Sequence, residues 1–190
     1  MPRVFVIGGP NGAGKTTSAS ELLPVQLHCL EFVNADSIAA GLSPFRPDSV
    51  ALQAGRLMLN RIHALANEGR DFAFETTMAA RSFAPFLRRC REKGYAVQLV
   101  FLWLSSPELA LKRVASRVEQ GGHDLPENVV RRRYDSGIRN FFDVYVPLAD
   151  GWVLYDNSDV EPRLIAHEAD DSGLVLRDAD TWQMIQERIR

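Results

Sequence analysis

Residues 8–17 read Gly-Gly-Pro-Asn-Gly-Ala-Gly-Lys-Thr-Thr. So little side chain cannot build a core, but it suits a backbone that must come close to something else. Glycines let consecutive N–H groups turn inward and approach a polyphosphate. Within the stretch, Gly9-x-x-x-x-Gly14-Lys15-Thr16 has the spacing of a phosphate-binding loop. Lys15 supplies a point charge for the outer phosphates, and the Thr16 hydroxyl suits a Mg²⁺ ligand. The helix that follows aims its positive end at the same place. Gly9, Pro10, Asn11, Gly12, Ala13, Gly14, Lys15, Thr16 and Thr17 are therefore expected to hold ATP, with Thr16 on the metal. The context agrees, because an apolar run at 4–7 precedes the loop and a helical pattern at 15–23, stopped by Pro24, follows it.

Outward from the loop, strands and helices alternate. Short apolar runs at 30–33, 71–74 and 152–155 read as strands, as does the almost wholly apolar 97–104, which suits a strand covered on both faces. Residues 49–67 form an amphipathic helix, with Asp48 placed to cap it and Gly69 to end it. Further helices are expected at 83–93, 108–119 and 127–142. The alternation predicts an α/β fold of the P-loop kinase type: a mainly parallel five-stranded sheet flanked by helices, joined by right-handed crossovers. Beyond residue 156 the pattern changes. Runs at 163–167 and 174–177 flank Asp-Asp-Ser-Gly, which predicts a C-terminal hairpin, and a last helix covers 181–189. Residues 1–190 are expected to form one domain, with a lid at about 117–133 and the hairpin and helix at about 160–190.

Composition narrows the class. The chain has 190 residues, 46% of them hydrophobic and 24% charged, ordinary for a chain that buries a core. The formal charge of −2 argues against bulk attraction to nucleic acid or anionic membrane. Cys29 and Cys90 lack metal-ligand spacing and suit a reducing compartment. No signal-peptide run and no apolar stretch of membrane-spanning length is found, so a cytoplasmic protein is expected. Neither Asn-Lys-x-Asp nor Leu-Ser-Gly-Gly-Gln occurs, which disfavours a guanine switch and a transporter motor and leaves a small kinase.

Phosphoryl transfer needs a base or orienter for the acceptor hydroxyl, groups that hold the acceptor, and cations for the moving charge. Asp36 follows the second strand on the edge that carries the loop. It reads as the base or as a carboxylate near Mg²⁺, at a place where a helix cap before residues 38–40 also belongs. Glu75, Thr76 and Thr77 end the third strand on the same edge, a carboxylate and two hydroxyls suited to a polar acceptor. Arg81 either joins them or is solvated. Arg113 and Arg117 share one helix face. Glycines 121 and 122 then separate that helix from Arg131-Arg132-Arg133, an arrangement like a mobile lid that brings cations onto phosphates. Three consecutive arginines point in different directions. Arg117 and Arg132 are the expected catalytic pair beside Lys15 and Asp36, against the alternative of a solvated basic face. His123 reads as an ordinary surface histidine. A nucleotide-dependent binding module is the rival reading. Asp36 and Glu75 speak against it, because a pure switch needs no acceptor pocket.

Taken in order, Gly8-Gly-Pro-Asn-Gly-Ala-Gly-Lys-Thr-Thr, Asn34-Ala-Asp36, Phe74-Glu-Thr-Thr, Arg117-Val-x-x-Gly-Gly-His-x-x-Pro, Arg131-Arg-Arg-Tyr and Tyr155-Asp-Asn-Ser resemble the zeta-toxin family of P-loop kinases, over residues 3 to about 160. The resemblance implies that Asp36 acts as base and that Glu75 and Thr77 bind the acceptor. It also implies ATP and Mg²⁺ as cofactors, and UDP-N-acetylglucosamine, phosphorylated on the sugar's 3′-hydroxyl, as the first acceptor to consider. Arg81 and Arg131–Arg133 would then meet the nucleotide sugar's diphosphate. A toxin held inactive by an antitoxin protein is a further expectation.

Overall fold

The computed structural model describes residues 1–119, 125–169 and 173–189. Its centre is a seven-stranded sheet. In chain order the elements are β1 (Arg3–Gly8), α1 (Lys15–Val25), β2 (Phe32–Val33), α2 (Ala35–Leu42), α3 (Ala51–Asn67), β3 (Phe72–Thr76), α4 (Ala84–Glu92), β4 (Ala96–Trp103), α5 (Pro107–Glu119), α6 (Glu127–Asn140), β5 (Gly151–Asp156), β6 (Arg163–Ala169), β7 (Val175–Leu176) and α7 (Ala179–Ile189). The strands lie in the order β2-β3-β1-β4-β5-β6-β7. The first five are mutually parallel, and β6 and β7 add antiparallel beyond β5.

Side chains alternate across the pleat, so each parallel strand feeds two cores. Val4 and Val6 of β1 and Phe72 and Phe74 of β3 join Met58, Ile62 and Leu65 of α3 and Phe86 and Leu87 of α4 on one face. Phe5, Ile7, Val100 and Leu102 meet Ala19 and Leu23 of α1 and Ala110 and Val114 of α5 on the other. Cys29 and Cys90 are buried free thiols, and burial pushes Cys90 up to about 11, so it is an inert core side chain.

Four local expectations are corrected. Pro24 does not stop α1, which runs through it to Val25; in the last turn a proline forfeits only one helical bond. Asp48 does not cap α3. It lies in a 3₁₀ turn, Pro47–Val50, that leads into the helix. The second strand shrinks to two residues, with Leu30 outside it and exposed. The C-terminal hairpin forms, but not outside the five-stranded sheet. It continues the main sheet, so five strands become seven.

Topology gathers the chemistry on one edge. β1 is central, flanked by β3 and β4, and Ile7 and Gly8 stand in register with Glu75 and Thr76. The loop after β1 therefore opens beside the end of β3, outside the carboxyl ends of parallel strands, where α/β folds bind ligands.

Candidate active site

Gly12 and Gly14, with φ of 79° and 76°, adopt left-handed conformations on either side of Ala13, which only glycine does without strain. The loop so formed wraps Lys15, whose side chain is buried and donates from Nζ to the Pro10 carbonyl at 2.9 Å. Burial pulls its pKa below the usual lysine range. Glu75 and Asp36 oppose that, and Arg117 and Arg133 reinforce it.

Glu75 lies on the loop side of the site rather than out in an acceptor pocket. Its Oε2 accepts from Thr16 Oγ1 and from Asn34 Nδ2, both at 2.7 Å, and its Oε1 lies 3.8 Å from Lys15 Nζ. The register between β1 and β3 sets Glu75 level with Ile7, just before the loop. Asn34 is buried and does two jobs: its Oδ1 caps α2 by accepting from Ser37 N at 3.0 Å, while its amide holds Glu75. Asparagine before a helical pattern is a capping signal, and with that signal it could have been singled out. Asp36, the next residue but one, is thereby not the cap. It stands in the first turn of α2, exposed to the cavities.

Two cavities meet here. One, of about 200 Å³, is lined by Asn11, Gly12, Lys15, Glu75 and Arg133 among others. The other, of about 310 Å³, runs between α2 and the start of α3, past Ala39, Ala40, Pro44, Pro47 and Ala51. Asn34, Asp36 and Arg117 line both. Arg117 comes from the end of α5, and its Nε and Nη2 are buried without a hydrogen-bond partner among the described residues. A guanidinium left so is a costly arrangement unless an anion completes it.

The other candidates divide. Thr76 and Thr77 line the smaller cavity, but their hydroxyls also accept from Met78 N at 3.1 Å and Ala79 N at 3.4 Å, capping the turn after β3. Arg81 is drawn away. Its Nε donates to Asn140 Oδ1 at 3.0 Å, and Asn140 in turn donates to the Met78 and Ala79 carbonyls, pinning a loop in which Met78 sits at φ 54°. Arg131 is paired with Glu108 and Glu127. Arg132 is exposed and lines neither cavity, so its expected place is corrected: Arg133, one residue on around α6, turns inward and donates to Asn11 Oδ1 at 3.4 Å. Sequence could not choose among three adjacent arginines 100° apart on a helix; Tyr134, buried against the sheet, fixes the rotation. Thr17 is exposed on α1 outside both cavities. Gly121, Gly122 and His123 of the expected lid lie outside the described residues.

A paired substitution separates the arginines. Arg133→Ala should lower turnover roughly tenfold, the scale of one charge-assisted hydrogen bond. Arg132→Ala should stay near wild type, as steady-state kinetics with saturating ATP would show.

The loop is also held from outside. Asn157, just past β5, donates from Nδ2 to the Ala13 carbonyl at 2.7 Å. Arg113 of α5 donates to the carbonyls of Asn157 and Ser158, both at 2.7 Å.

A family model described as an AAA domain matches residues 4–141, nearly three-quarters of the chain. The chain belongs to the AAA domain family. Within this AAA domain lie the loop, Asp36, Glu75, Arg117 and Arg133. An uncharacterised protein of Haemophilus influenzae is 30% identical over 127 residues, 66% of this chain and 88% of that protein. Among solved structures, the AvrRxo1-ORF1:AvrRxo1-ORF2 complex superposes with a TM-score of 0.79 in a form with sulphate ions and 0.77 in a form with ATP, at 18% identity. It covers 97% of this AAA domain chain, which spans only 63% of that chain's length. The PezAT toxin–antitoxin system of Streptococcus pneumoniae superposes at 0.67, with 16% identity, over all of this chain and 86% of that one. The architecture is that of the P-loop kinases. None of the described helices is long and apolar enough to cross a membrane.

Proposed function

We propose that the protein is an ATP-dependent phosphotransferase of the zeta-toxin type, acting on a hydroxyl of a small molecule. One observation carries this reading: Asp36 and Arg117 stand where a cavity walled by the phosphate loop meets a second cavity between α2 and α3. A transfer site needs a base and a cation at that junction. ATP's phosphates would lie against Gly12, Gly14, Lys15 and Arg133, with the hydroxyl-bearing acceptor in the α2–α3 cavity. Asp36 takes the hydroxyl proton as the acceptor oxygen bonds to the γ-phosphorus. The bond from that phosphorus to the β–γ bridging oxygen breaks, and ADP leaves. Arg117, with two nitrogens that have no partner among the described residues, meets the charge on the moving group. Thr16 Oγ1 and Glu75 would hold Mg²⁺, which supplies charge neutralisation to the phosphates. That gives Glu75 a role on the metal side in place of the acceptor role expected from sequence.

The 310 Å³ cavity suits a sugar-sized group. In a nucleotide sugar such as UDP-N-acetylglucosamine the remainder would extend past Pro44 and Pro47 toward the solvent. Incubation with ATP·Mg²⁺ and a panel of nucleotide sugars, nucleosides and free sugars, read by mass spectrometry for one added phosphate, tests the reading. Transfer to none of them would count against it. Ala51 lines the cavity from an exposed position on α3, so Ala51→Trp should fold normally. It should raise the acceptor's KM at least tenfold by filling the space, with ATP affinity unchanged.

A protein partner is a second element of the reading. Phe45 and Leu52 are 97% and 85% exposed on segments bordering the cavity mouth, apolar surface of the kind that interfaces cover. One of the similar folds was solved as the AvrRxo1-ORF1:AvrRxo1-ORF2 pair, and another belongs to the PezAT toxin–antitoxin system. Co-purification with the product of a neighbouring gene, abolished by Phe45→Asp, would support an antitoxin.

A further inference from the structure

The segment Tyr155-Asp-Asn-Ser has no part in the transfer step, yet its hydrogen bonds converge on the phosphate loop. A trans peptide is planar, with its carbonyl and its N–H on opposite sides. Asn157 Nδ2 holds the Ala13 carbonyl at 2.7 Å, so the N–H of Gly14 in the same peptide is fixed facing away from Asn157. Gly14, left-handed and without a Cβ, offers little steric resistance to rotation of this peptide about its φ. A flip would present a carbonyl oxygen where the loop needs a donor.

Asn157 is itself clamped at both ends of its backbone. Its N–H donates to the Trp103 carbonyl at 2.9 Å, and its carbonyl accepts from Arg113 Nη1 at 2.7 Å. Next to it, Asp156 is a carboxylate only 4% exposed. Its Oδ1 accepts from the N–H of Ser158 at 2.9 Å and from the Ser158 hydroxyl, and its Oδ2 accepts from Arg163 Nη2 at 2.8 Å. The Ser158 hydroxyl also accepts from Ser105 N at 2.8 Å. Arg163 is the first residue of β6, so the chain of contacts begins in the C-terminal hairpin and ends on the Ala13–Gly14 peptide.

We propose that Asn157 is a positioning residue for the ATP-binding loop, and that Arg163 of the C-terminal hairpin supports it through Asp156. The proposal rests on the kinase reading, and Lys15→Ala is the control that separates them. Asn157→Asp is isosteric and keeps both backbone bonds, but it puts an acceptor against the Ala13 carbonyl. ATP affinity, measured by calorimetric titration, should fall roughly ten- to a hundredfold. The KM for ATP should rise while the acceptor's KM is unchanged, and the unfolding midpoint should move by no more than about 3 °C. Arg163→Ala, at a side chain 57% exposed, should weaken ATP binding about two- to fivefold, and Arg163→Lys should restore it by keeping the ion pair. If Lys15→Ala weakens ATP binding and Asn157→Asp does not, the positioning role is wrong while the nucleotide site stands. An unchanged affinity in Arg163→Ala would detach the hairpin from the loop. Losses in both KM values that track a falling midpoint would make the whole segment structural and overturn the proposal. If Lys15→Ala itself changes nothing, the kinase reading fails first.

Discussion

Asp36→Asn should still bind ATP and should transfer phosphate roughly 10²-fold more slowly or worse, the usual scale for losing a general base. The substitution keeps size and shape and removes the charge and the basic lone pair. The fold is not expected to suffer. Asn34, not Asp36, caps α2, and Asp36 is exposed at the junction of the two cavities. The loss should appear in kcat with little change in ATP affinity. Calorimetry paired with a single-turnover assay would show it. Near wild-type transfer would move the base to another group.

Lys15→Met should change stability as well as activity. Turnover should drop roughly 10²- to 10³-fold, because a preorganised cation facing the outer phosphates is lost. ATP should bind more weakly. The folded protein should be no less stable, and more so at neutral pH. Burial pulls the Lys15 pKa below its unfolded value near ~10.4, which means that folding disfavours the charged amine. That destabilisation is complete below the folded pKa and fades as pH rises from it toward the unfolded value. Methionine keeps the buried stem and carries no charge, so the variant should lack the alkaline gain in stability expected of the wild type. Thermal melts across neutral to alkaline pH would test the sign. A large loss of stability in Lys15→Met at neutral pH would mean that the ammonium is a net structural asset, contrary to this reading.

Much of the fold could be read from the chain because its strands are short apolar runs punctuated by glycine, with amphipathic helices between them. The five parallel strands follow from that alternation. The hairpin was legible as two strands, but its attachment to β5 was not, since pairing partners are set by the sheet edge left open and not by local pattern. The phosphate loop declared itself through spacing. The roles around it were harder. Glu75 looked like an acceptor ligand because it ends a strand beside two threonines; only the register with β1 brings it onto Thr16. Arg81 looked available until Asn140, fifty-nine residues away, claimed its Nε. Arg132 and Arg133 could not be told apart without the rotation that Tyr134 imposes. Contacts distant in sequence set all three: Glu75 with Thr16, Arg81 with Asn140, and Tyr134 with the Leu104 carbonyl.

The two ends of the sheet have a consequence for the protein's behaviour when crowded. β2 and β7 are two residues each, so the outermost strand at either margin is short. Between them lie strands of up to eight residues, several of them apolar on both faces. Beyond serving any site, the last hairpin keeps β5 from being a margin, and β7 keeps the seven-residue β6 partly covered. A chain cut short before residue 160 would keep its phosphate loop and expose an adhesive flank. Strands β6 and β7 therefore act as a selvedge, the finished border that stops a woven sheet from catching on its neighbour.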